Sequence, residues 1–127
     1  MDRSLLMSRI KSKNTKPEMM VRSMVWKAGF RYRLHSKNLP GTPDLVFGPN
    51  RKVIFVNGCF WHGHICRTGK LPKTNTEFWS AKISKNGKRD SANIRKLKKL
   101  GWKALTLWEC ELKKPTTLKK IMLFLAN

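Results

Sequence analysis

The spacing of hydrophobic residues changes several times along this chain, and each change predicts a new element. Apolar residues recur every three or four positions between Thr15 and Gly29, which is typical of an amphipathic helix. Apolar and basic residues then alternate over Phe30–His35, as they do in a half-buried strand. Two short apolar runs follow, Asp44–Phe47 and Lys52–Val56, with a Gly-Pro-Asn turn between them. These three segments predict an antiparallel meander.

The second half of the chain returns to helical spacing. Apolar residues at intervals of three or four begin at about Thr76, and Asn86-Gly87 interrupts them, so we predict two helices here. Trp102–Trp108 has the pattern of a fourth strand, and a last helix covers Thr116–Ala126. Because a helical connection joins the third and fourth strands, the fourth should lie parallel to a strand of the meander. We therefore predict an α/β fold with a mixed sheet flanked by helices.

The composition indicates one domain and a polyanionic partner. The chain has 127 residues, of which 40% are hydrophobic, so we predict one domain over residues 1–127. Its 28 Lys and Arg oppose 7 Asp and Glu, and the resulting net charge of +21 favours a polyanionic partner. DNA is the leading candidate and ribosomal-type RNA its rival. A membrane surface is disfavoured, because the basic residues do not follow one face of a helix.

The ends and the apolar runs of the sequence bear on its location. Residues 1–14 have the composition of a basic arm that orders on DNA, or else of an ordinary disordered terminus. The sequence shows no leader-like segment and no apolar run long enough to cross a bilayer. We therefore expect a cytoplasmic protein.

Metal-binding side chains crowd the segment after the third strand. Cys59, His64 and Cys66 lie there, and Cys110 follows the fourth strand. An odd number of cysteines in a chain without a leader disfavours a disulfide framework. A Cys3His set would satisfy tetrahedral Zn²⁺ completely, as in structural sites, and parallel neighbouring strands would bring Cys59 and Cys110 to the same sheet edge. The alternative is that the cysteines are buried as small hydrophobic residues.

Three of the seven acidic residues have a structural interpretation. Asp44 suits a turn, Glu18 completes a Thr-x-x-Glu capping box, and Asp90 could cap a helix. With His62, Asp44 and Asp90 gain a second meaning, because metal-assisted phosphodiester hydrolysis needs a carboxylate for the cation and an oriented base for the water. A nuclease and a noncatalytic, zinc-stabilised DNA-binding module are thus the two classes to separate.

Several blocks of sequence point to one family. In chain order they are MSRIKSKNTKPE, LPGTPDLVF, VIFVNGCFWHGHIC, TEFW, KNGKRD and LWEC. Together they resemble the very short patch repair (Vsr) DNA mismatch endonuclease family over essentially the whole chain. The resemblance implies a restriction-endonuclease-like fold, a structural zinc ion, and a Mg²⁺-dependent nick 5′ of the thymine in a T:G mismatch. It implies double-stranded DNA with that mismatch as partner, a mismatch-repair protein of the MutL type as a further candidate, and a monomer associated with the bacterial nucleoid.

The resemblance also assigns roles to individual residues. By motif, Asp44 matches the metal-binding aspartate, His62 the catalytic base, Asp90 the supporting carboxylate and Glu18 an active-site acid. The matching zinc ligands are Cys59, His64, Cys66 and Cys110.

Aromatic residues in the same blocks match side chains that wedge into DNA beside the mismatch. They are Phe60, Trp61 and Trp79, with Met7 of the arm entering from the opposite groove. Unstacking a base step costs a few kcal/mol and costs less at a mismatch, so insertion itself can select the lesion. Ordinary core packing is the alternative for these residues, and it is our interpretation of Trp26, Trp102 and Phe124.

The chain departs from the family pattern at two neighbouring positions. Val56 replaces a common threonine, and valine serves if this position binds Mg²⁺ through its backbone carbonyl. Asn57 replaces a histidine that is expected to contact phosphate. The acidic-x-Lys half of the broader nuclease motif is absent after Phe55, so His62 is expected to do the work of that lysine. A Vsr-like nuclease of another specificity, of homing or restriction type, is therefore an open alternative.

Overall fold

A four-stranded mixed sheet lies at the centre of the structure, a computed structural model that describes residues 15–59 and 75–126. The strands lie side by side in the order β1-β2-β3-β4. They span Arg33–Leu34 (β1), Leu45–Phe47 (β2), Lys52–Asn57 (β3) and Lys103–Trp108 (β4). The helices of the described ranges are Lys16–Lys27 (α1), Thr76–Lys99 (α2) and Pro115–Ala126 (α3). The predicted mixed α/β architecture is confirmed, and it is consistent with a restriction-endonuclease-like fold.

The pairing of the strands follows the predicted topology. β1, β2 and β3 form an antiparallel meander, in which Leu34 pairs with Leu45, and Leu45 with Ile54. β3 and β4 pair in parallel from Lys52 opposite Lys103 to the last residues of both strands. The carboxyl ends of β3 and β4 therefore lie at one edge of the sheet, as predicted.

Alternating strand residues build a core on each face of the sheet. On one face, buried residues of β2, β3 and β4 pack against α1 and α3 in a single cluster: Val21, Val25, Leu45, Phe47, Ile54, Leu107, Leu112, Ile121 and Leu125. On the other face, Val46 and Val53 pack against Leu97 of α2. Burying a Val, Leu or Ile side chain stabilises the fold by roughly 1.5–3 kcal/mol. Packing on both faces therefore holds α1 and α3 on one side of the sheet and α2 on the other.

Three large aromatic residues were predicted to lie in the core, and one prediction is wrong. Trp102 and Phe124 are partly buried against the clusters on the two faces. Trp26 is 52% exposed on the outer side of α1. The Arg31 guanidinium lies 3.5 Å from the centre of its ring, and Tyr32 contacts the ring edge-on. The cation thus covers an aromatic face that helical spacing alone assigned to the core.

Local chemistry sets both ends of α1. The Glu18 N–H donates to Thr15 Oγ1 over 3.4 Å, so Thr15 caps the helix as its Thr-x-x-Glu pattern predicts. At the other end, Gly29 has φ +96°, the Gly29 N–H donates to the Trp26 carbonyl and the Phe30 N–H donates to the Val25 carbonyl. This is a Schellman motif, which satisfies the last carbonyls of the helix and confirms Gly29 as its stop.

The predicted strand Phe30–His35 is shorter than its alternation indicated. Only Arg33 and Leu34 pair as a strand. Phe30 is held at the helix end by its backbone hydrogen bond, and His35 has φ 48°, which takes the chain out of extended geometry. Alternation reports which side of the segment is buried, and it is insensitive to the backbone turn at either end.

The prediction of two helices after residue 75 is wrong, because Thr76–Lys99 is one continuous helix. Asn86-Gly87 lies inside it. A glycine in a helix interior costs about 1 kcal/mol relative to alanine, which long helical segments on both sides can offset. Asp90 is therefore an interior residue of α2, and its interpretation as a helix cap is wrong.

A tight loop before β2 aims Asp44 at the sheet edge. Gly41 has φ +80°, and a Cβ at this position would lie 3.1 Å from both the Asn93 Cβ and the Phe55 ring. The loop therefore packs directly against α2 and β3, and only glycine fits both the conformation and the space. This close packing fixes the start of β2 relative to the end of β3.

None of the described helices is long and apolar enough to cross a membrane.

Candidate active site

Three chain segments bring polar groups, two of them side chains and one a backbone group, to the sheet edge where β3 ends. His35 comes directly after β1, Asp44 directly before β2, and Val56 near the end of β3. Glu18 joins them from the first turn of α1, a helix that packs on one face of the sheet through Val21 and its neighbours. The site is thus built from rigid elements rather than from one loop.

Glu18 is the most deeply buried acidic group of the described residues. Its side chain is 1% exposed, and His35 Nε2 lies 2.9 Å from both of its carboxylate oxygens. Arg22, one helical turn later, places Nη1 3.5 Å from Oε2. A carboxylate so far from water needs such partners, and the amino end of α1 adds a favourable dipole. Glu18 therefore both belongs to the capped helix start and lies inside the site.

Asp44 is unusually hard to ionise. Its pKa is raised from 3.8 to about 7, chiefly because burial removes water from the carboxylate and also because Glu18 lies beside it. The Val56 N–H, which donates to Asp44 Oδ2 over 2.7 Å, opposes the shift, as does the charge of His35. Two carboxyl groups this close cannot easily carry two negative charges, which is the electrostatic setting that favours a bound cation.

Pro43 shapes the hydrogen bonding around Val56. Leu45 lies opposite Ile54, so the same register, continued by two residues, places Pro43 opposite Val56. Pairs at this position of an antiparallel ladder exchange two backbone hydrogen bonds. Proline has no N–H, so it cannot donate to the Val56 carbonyl. The Val56 carbonyl lies on the same side of β3 as the Val56 N–H, which donates a hydrogen bond to Asp44. The Pro-Asp dipeptide therefore ends the ladder and leaves a carboxylate and a backbone carbonyl at one place.

The arrangement suits a divalent cation. Glu18, His35 and Asp44 each offer one ligand atom, and these atoms lie within 4.8 Å of one another. Carboxylate and carbonyl oxygens are the ligands that Mg²⁺ prefers, and one or two carboxylates are the usual protein contribution. The donor chemistry of the site thus fits the implied ion.

His35 is the member of this cluster that the sequence interpretation missed. The alternation of residues 30–35 placed it among polar positions without distinguishing it from the neighbouring arginines. The predicted meander could have indicated His35, because antiparallel pairing of its first two strands brings His35 opposite Asp44. The observed backbone bond from the His35 N–H to the Asp44 carbonyl, 3.3 Å long, is that pairing.

Comparison with known proteins agrees with the geometry. The family described as DNA mismatch endonuclease Vsr matches residues 1–68. The Type II nicking enzyme V.XorIIP of Xanthomonas oryzae pv. oryzae is 52% identical over 110 residues, which cover 87% of this chain and 81% of the relative. The DNA mismatch endonuclease Vsr of Escherichia coli is 44% identical over 111 residues, which cover 87% and 71%. This chain belongs to the Vsr family.

A further Vsr-like relative, the Type II nicking enzyme V.NmeAIP of Neisseria meningitidis, is 50% identical over 111 residues, 87% of this chain and 79% of its own length. The relatives' names describe nicking and mismatch endonucleases. The family resemblance expected from the sequence blocks is confirmed.

The structure brings together some of the residues that the Vsr resemblance assigned. Glu18, Asp44 and Val56 meet at the sheet edge, as described above. Asp90 lies half-buried on α2, one turn before Asn93, which packs against the loop that carries Asp44. The other assignments fall outside the described residues, and their positions stay predictions: Met7 and the rest of the arm, Phe60, Trp61, His62, His64 and Cys66.

Two of the four predicted zinc ligands are described. Cys59 is buried just beyond the end of β3, and Cys110 lies two residues beyond β4. The Cys59 N–H donates to Glu109 Oε1 over 3.3 Å, which joins the two strand ends. The expected placement at one sheet edge is thus observed, and zinc binding stays a prediction.

Trp79, the described member of the wedge set, is only 6% exposed on α2, whereas its neighbour Phe78 is 59% exposed. The Trp79 ring packs edge-on against Phe78 at 5.2 Å between centroids. Insertion of Trp79 into DNA would therefore require this side chain to move. Its role as a wedge stays a prediction.

Proposed function

We propose that this chain is a Mg²⁺-dependent DNA endonuclease that nicks one strand of a duplex 5′ of the thymine in a T:G mismatch and so initiates very short patch repair. The observation that carries the proposal is the meeting of Glu18, His35 and Asp44 at the carboxyl end of β3 in a member of the Vsr family. Residues 1–127 would act as one domain, with residues 1–14 as a DNA-contacting arm.

Several of the chain's own residues would prepare the site for the reaction. Asp44 and the Val56 carbonyl would hold the ion, and Glu18 would complete the acidic side of the site. Bound Mg²⁺ would supply stabilisation of the negative charge that develops on the phosphate. The Val56 N–H keeps the Asp44 carboxylate in one orientation. Because the pKa of Asp44 is about 7, the aspartate loses a proton when it becomes a ligand.

Water activation is assigned by the resemblance rather than by the described geometry. In this proposal His62 takes the proton of the attacking water, and Asp90 orients the histidine. A positioned base of this kind typically contributes a factor of about 10²–10⁴. The absence of the acidic-x-Lys half of the broader nuclease motif after Phe55 is consistent with a histidine in that role.

Charge and aromatic side chains would provide substrate binding. A net charge of +21 supports sequence-independent attraction to the phosphate backbone, which weakens as salt rises. Phe60, Trp61, Trp79 and Met7 would unstack the DNA at the lesion, where unstacking is least costly. Mismatch selection would then come from deformation of the DNA more than from reading base edges.

We also propose that Cys59, His64, Cys66 and Cys110 bind one structural Zn²⁺. The support is the placement of Cys59 and Cys110 beyond neighbouring parallel strands. Thiolate and imidazole ligands in this number leave no open coordination position. Metal analysis of well-folded protein should find about one Zn²⁺ per chain, and protein that folds without zinc would rule the site out.

Nicking of a labelled duplex tests the proposed function directly. A duplex with one T:G pair and its T:A control would be incubated with Mg²⁺, and again with a chelator too dilute to strip tightly bound zinc. We expect a single cut 5′ of the mismatched thymine that requires Mg²⁺ and is absent from the control. A panel of flanking sequences is part of the experiment.

Other outcomes identify the alternatives. Cutting of the T:A control at a defined sequence would indicate a Vsr-like nuclease of another specificity, and the relatives named as nicking enzymes are the reason to test it. Tight binding without cutting in any context would indicate a noncatalytic module. In that case Asp44→Ala should leave every property of the protein unchanged except its stability.

A further inference from the structure

His35 makes two contacts that tie the carboxylate-bearing elements together. Its side chain lies 2.9 Å from both oxygens of Glu18 on α1, and its backbone N–H donates to the Asp44 carbonyl at the start of β2. The same residue thus sets the distance between a helix and a strand that each present one acidic group to the site.

The contact with Glu18 has the form of an orienting hydrogen bond. Nε2 is equidistant from the two carboxylate oxygens, so one N–H donor points at the centre of the carboxylate and fixes its plane. Arg22 also approaches Glu18, but at 3.5 Å and toward one oxygen. Glu18 is 1% exposed and His35 16%, so little water competes for this contact.

The backbone of His35 supports the same interpretation. Its φ of 48° lies in the left-handed region, which non-glycine residues rarely adopt, although histidine and asparagine do so more often than most. A glycine would occupy this position with less strain. Residues held in such a conformation cluster at functional sites, where the surrounding structure fixes them. The side chain that the backbone presents here is the one that reaches Glu18.

We propose that His35 is a positioning residue of the nuclease site, which orients the buried Glu18 carboxylate beside Asp44 for a divalent cation. The inference rests on the proposed function for its biological meaning, but the contact that it describes can be tested without DNA. Partners that orient metal-binding groups typically contribute a factor of 10 to 100 in metal affinity or activity, so the effect should be measurable.

Three substitutions separate orientation from mere packing. His35→Leu keeps much of the volume and removes the donor. His35→Gln keeps an N–H donor at a similar reach. His35→Asn tolerates the left-handed backbone but its amide is too short to reach Glu18. If the leucine variant does not fold, the comparison of glutamine with asparagine still decides the question.

Divalent-ion affinity is the primary measurement, with Mn²⁺ as a spectroscopically visible substitute for Mg²⁺. Zinc-replete protein without DNA would be titrated, and unbound Mn²⁺ followed by its electron paramagnetic resonance signal. We expect the leucine and asparagine variants to bind Mn²⁺ about 10-fold to 100-fold more weakly than the natural chain. The glutamine variant should retain most of the affinity. Equal affinities in all variants, or no Mn²⁺ binding by the natural chain, would overturn the inference.

A double-mutant cycle asks whether His35 acts through Glu18. In a Glu18→Gln background, His35→Leu should have little further effect on Mn²⁺ affinity, because the group that it orients is gone. An undiminished effect in that background would assign His35 a different role. Nicking assays then separate the two proposals: the predicted Mn²⁺ pattern without any nicking would sustain the role of His35 and refute the proposed function.

Discussion

The two ends of β3 bury charged groups in opposite ways. At the beginning of the strand, Lys52 is 4% exposed, and its ammonium donates to the carbonyls of Phe124 at 2.7 Å and Leu125 at 3.3 Å. These carbonyls belong to the last turn of α3, where the helix dipole favours a cation. Near the other end, Asp44 and Glu18 place two carboxyl groups side by side in the interior.

The difference separates a buried charge that is paired within the chain from one that is not. Lys52 satisfies helix carbonyls that would otherwise lack donors, so the pairing is complete within the chain. Asp44 is held by surroundings that raise its pKa to about 7, and repulsion from Glu18 is part of the cause. A site that is electrostatically incomplete on its own is what a cation completes, and stability is commonly sacrificed at such places.

Removing the Asp44 carboxylate should have the largest effect on function. We expect Asp44→Asn to lower the rate of mismatch nicking about a thousandfold, equivalent to about 4 kcal/mol of transition-state stabilisation, because an ion ligand is lost. The asparagine can still accept from the Val56 N–H, so the local structure should survive. Single-turnover nicking measures the rate, and binding to the T:G duplex is the control. Undiminished nicking would remove Asp44 from the mechanism.

Removing the Lys52 ammonium should have a smaller effect, and on stability alone. We expect Lys52→Met to lower the free energy of unfolding by about 1–3 kcal/mol, because the buried carbonyls of α3 lose a charged donor. Nicking at a temperature where the variant is folded should be unchanged. Lys103, which lies opposite Lys52 in the sheet and is exposed, gives the matched control. Lys103→Met should change stability by no more than about 0.5 kcal/mol.

Chemical denaturation of both variants measures these changes. Equal losses from Lys52→Met and Lys103→Met would show that the contacts with α3 contribute nothing specific. A loss of nicking by well-folded Lys52→Met would break the proposed separation between the two ends of β3.

The sequence predicted the frame better than the contacts within the site. Spacing of apolar residues and the glycine at position 29 gave the helix end, and the helical connection gave the parallel pairing of β3 with β4. These features depend on near neighbours or on general rules of topology. The continuity of α2 through Gly87 and the exposure of Trp26 depend on tertiary surroundings, which local propensity does not report.

The same distinction applies to the site. Motif resemblance singled out Asp44 and Glu18 as candidates, because their segments carry recognisable neighbours. His35 lacked such a signal: its contact with Glu18 joins residues 17 positions apart, and its left-handed backbone follows from neither hydropathy nor charge. The raised pKa of Asp44 likewise needs burial and a second carboxylate, which only the folded chain brings together.

A pH dependence of stability tests the electrostatic side of the comparison. The pKa of Asp44 is about 7 in the folded chain and its ordinary value is 3.8, so between these pH values the folded state binds more protons at this position than the unfolded state. The contribution of Asp44 to folding stability is complete below about pH 4, falls as pH rises, and is fully lost above about pH 7. Asp44→Asn has no such titration.

The difference in unfolding free energy between Asp44→Asn and the natural chain should therefore change in favour of the variant by about 3 kcal/mol between pH 4 and pH 7, and then level off. Denaturation without added Mg²⁺ measures it, because a bound ion would favour the ionised aspartate. Lys52→Met, which leaves Asp44 and Glu18 in place, should differ from the natural chain by a constant amount. A constant difference for Asp44→Asn as well would mean that neither burial nor the neighbouring Glu18 raises the pKa of Asp44 in the fold, and the electrostatic argument for a cation at this end of β3 would fail.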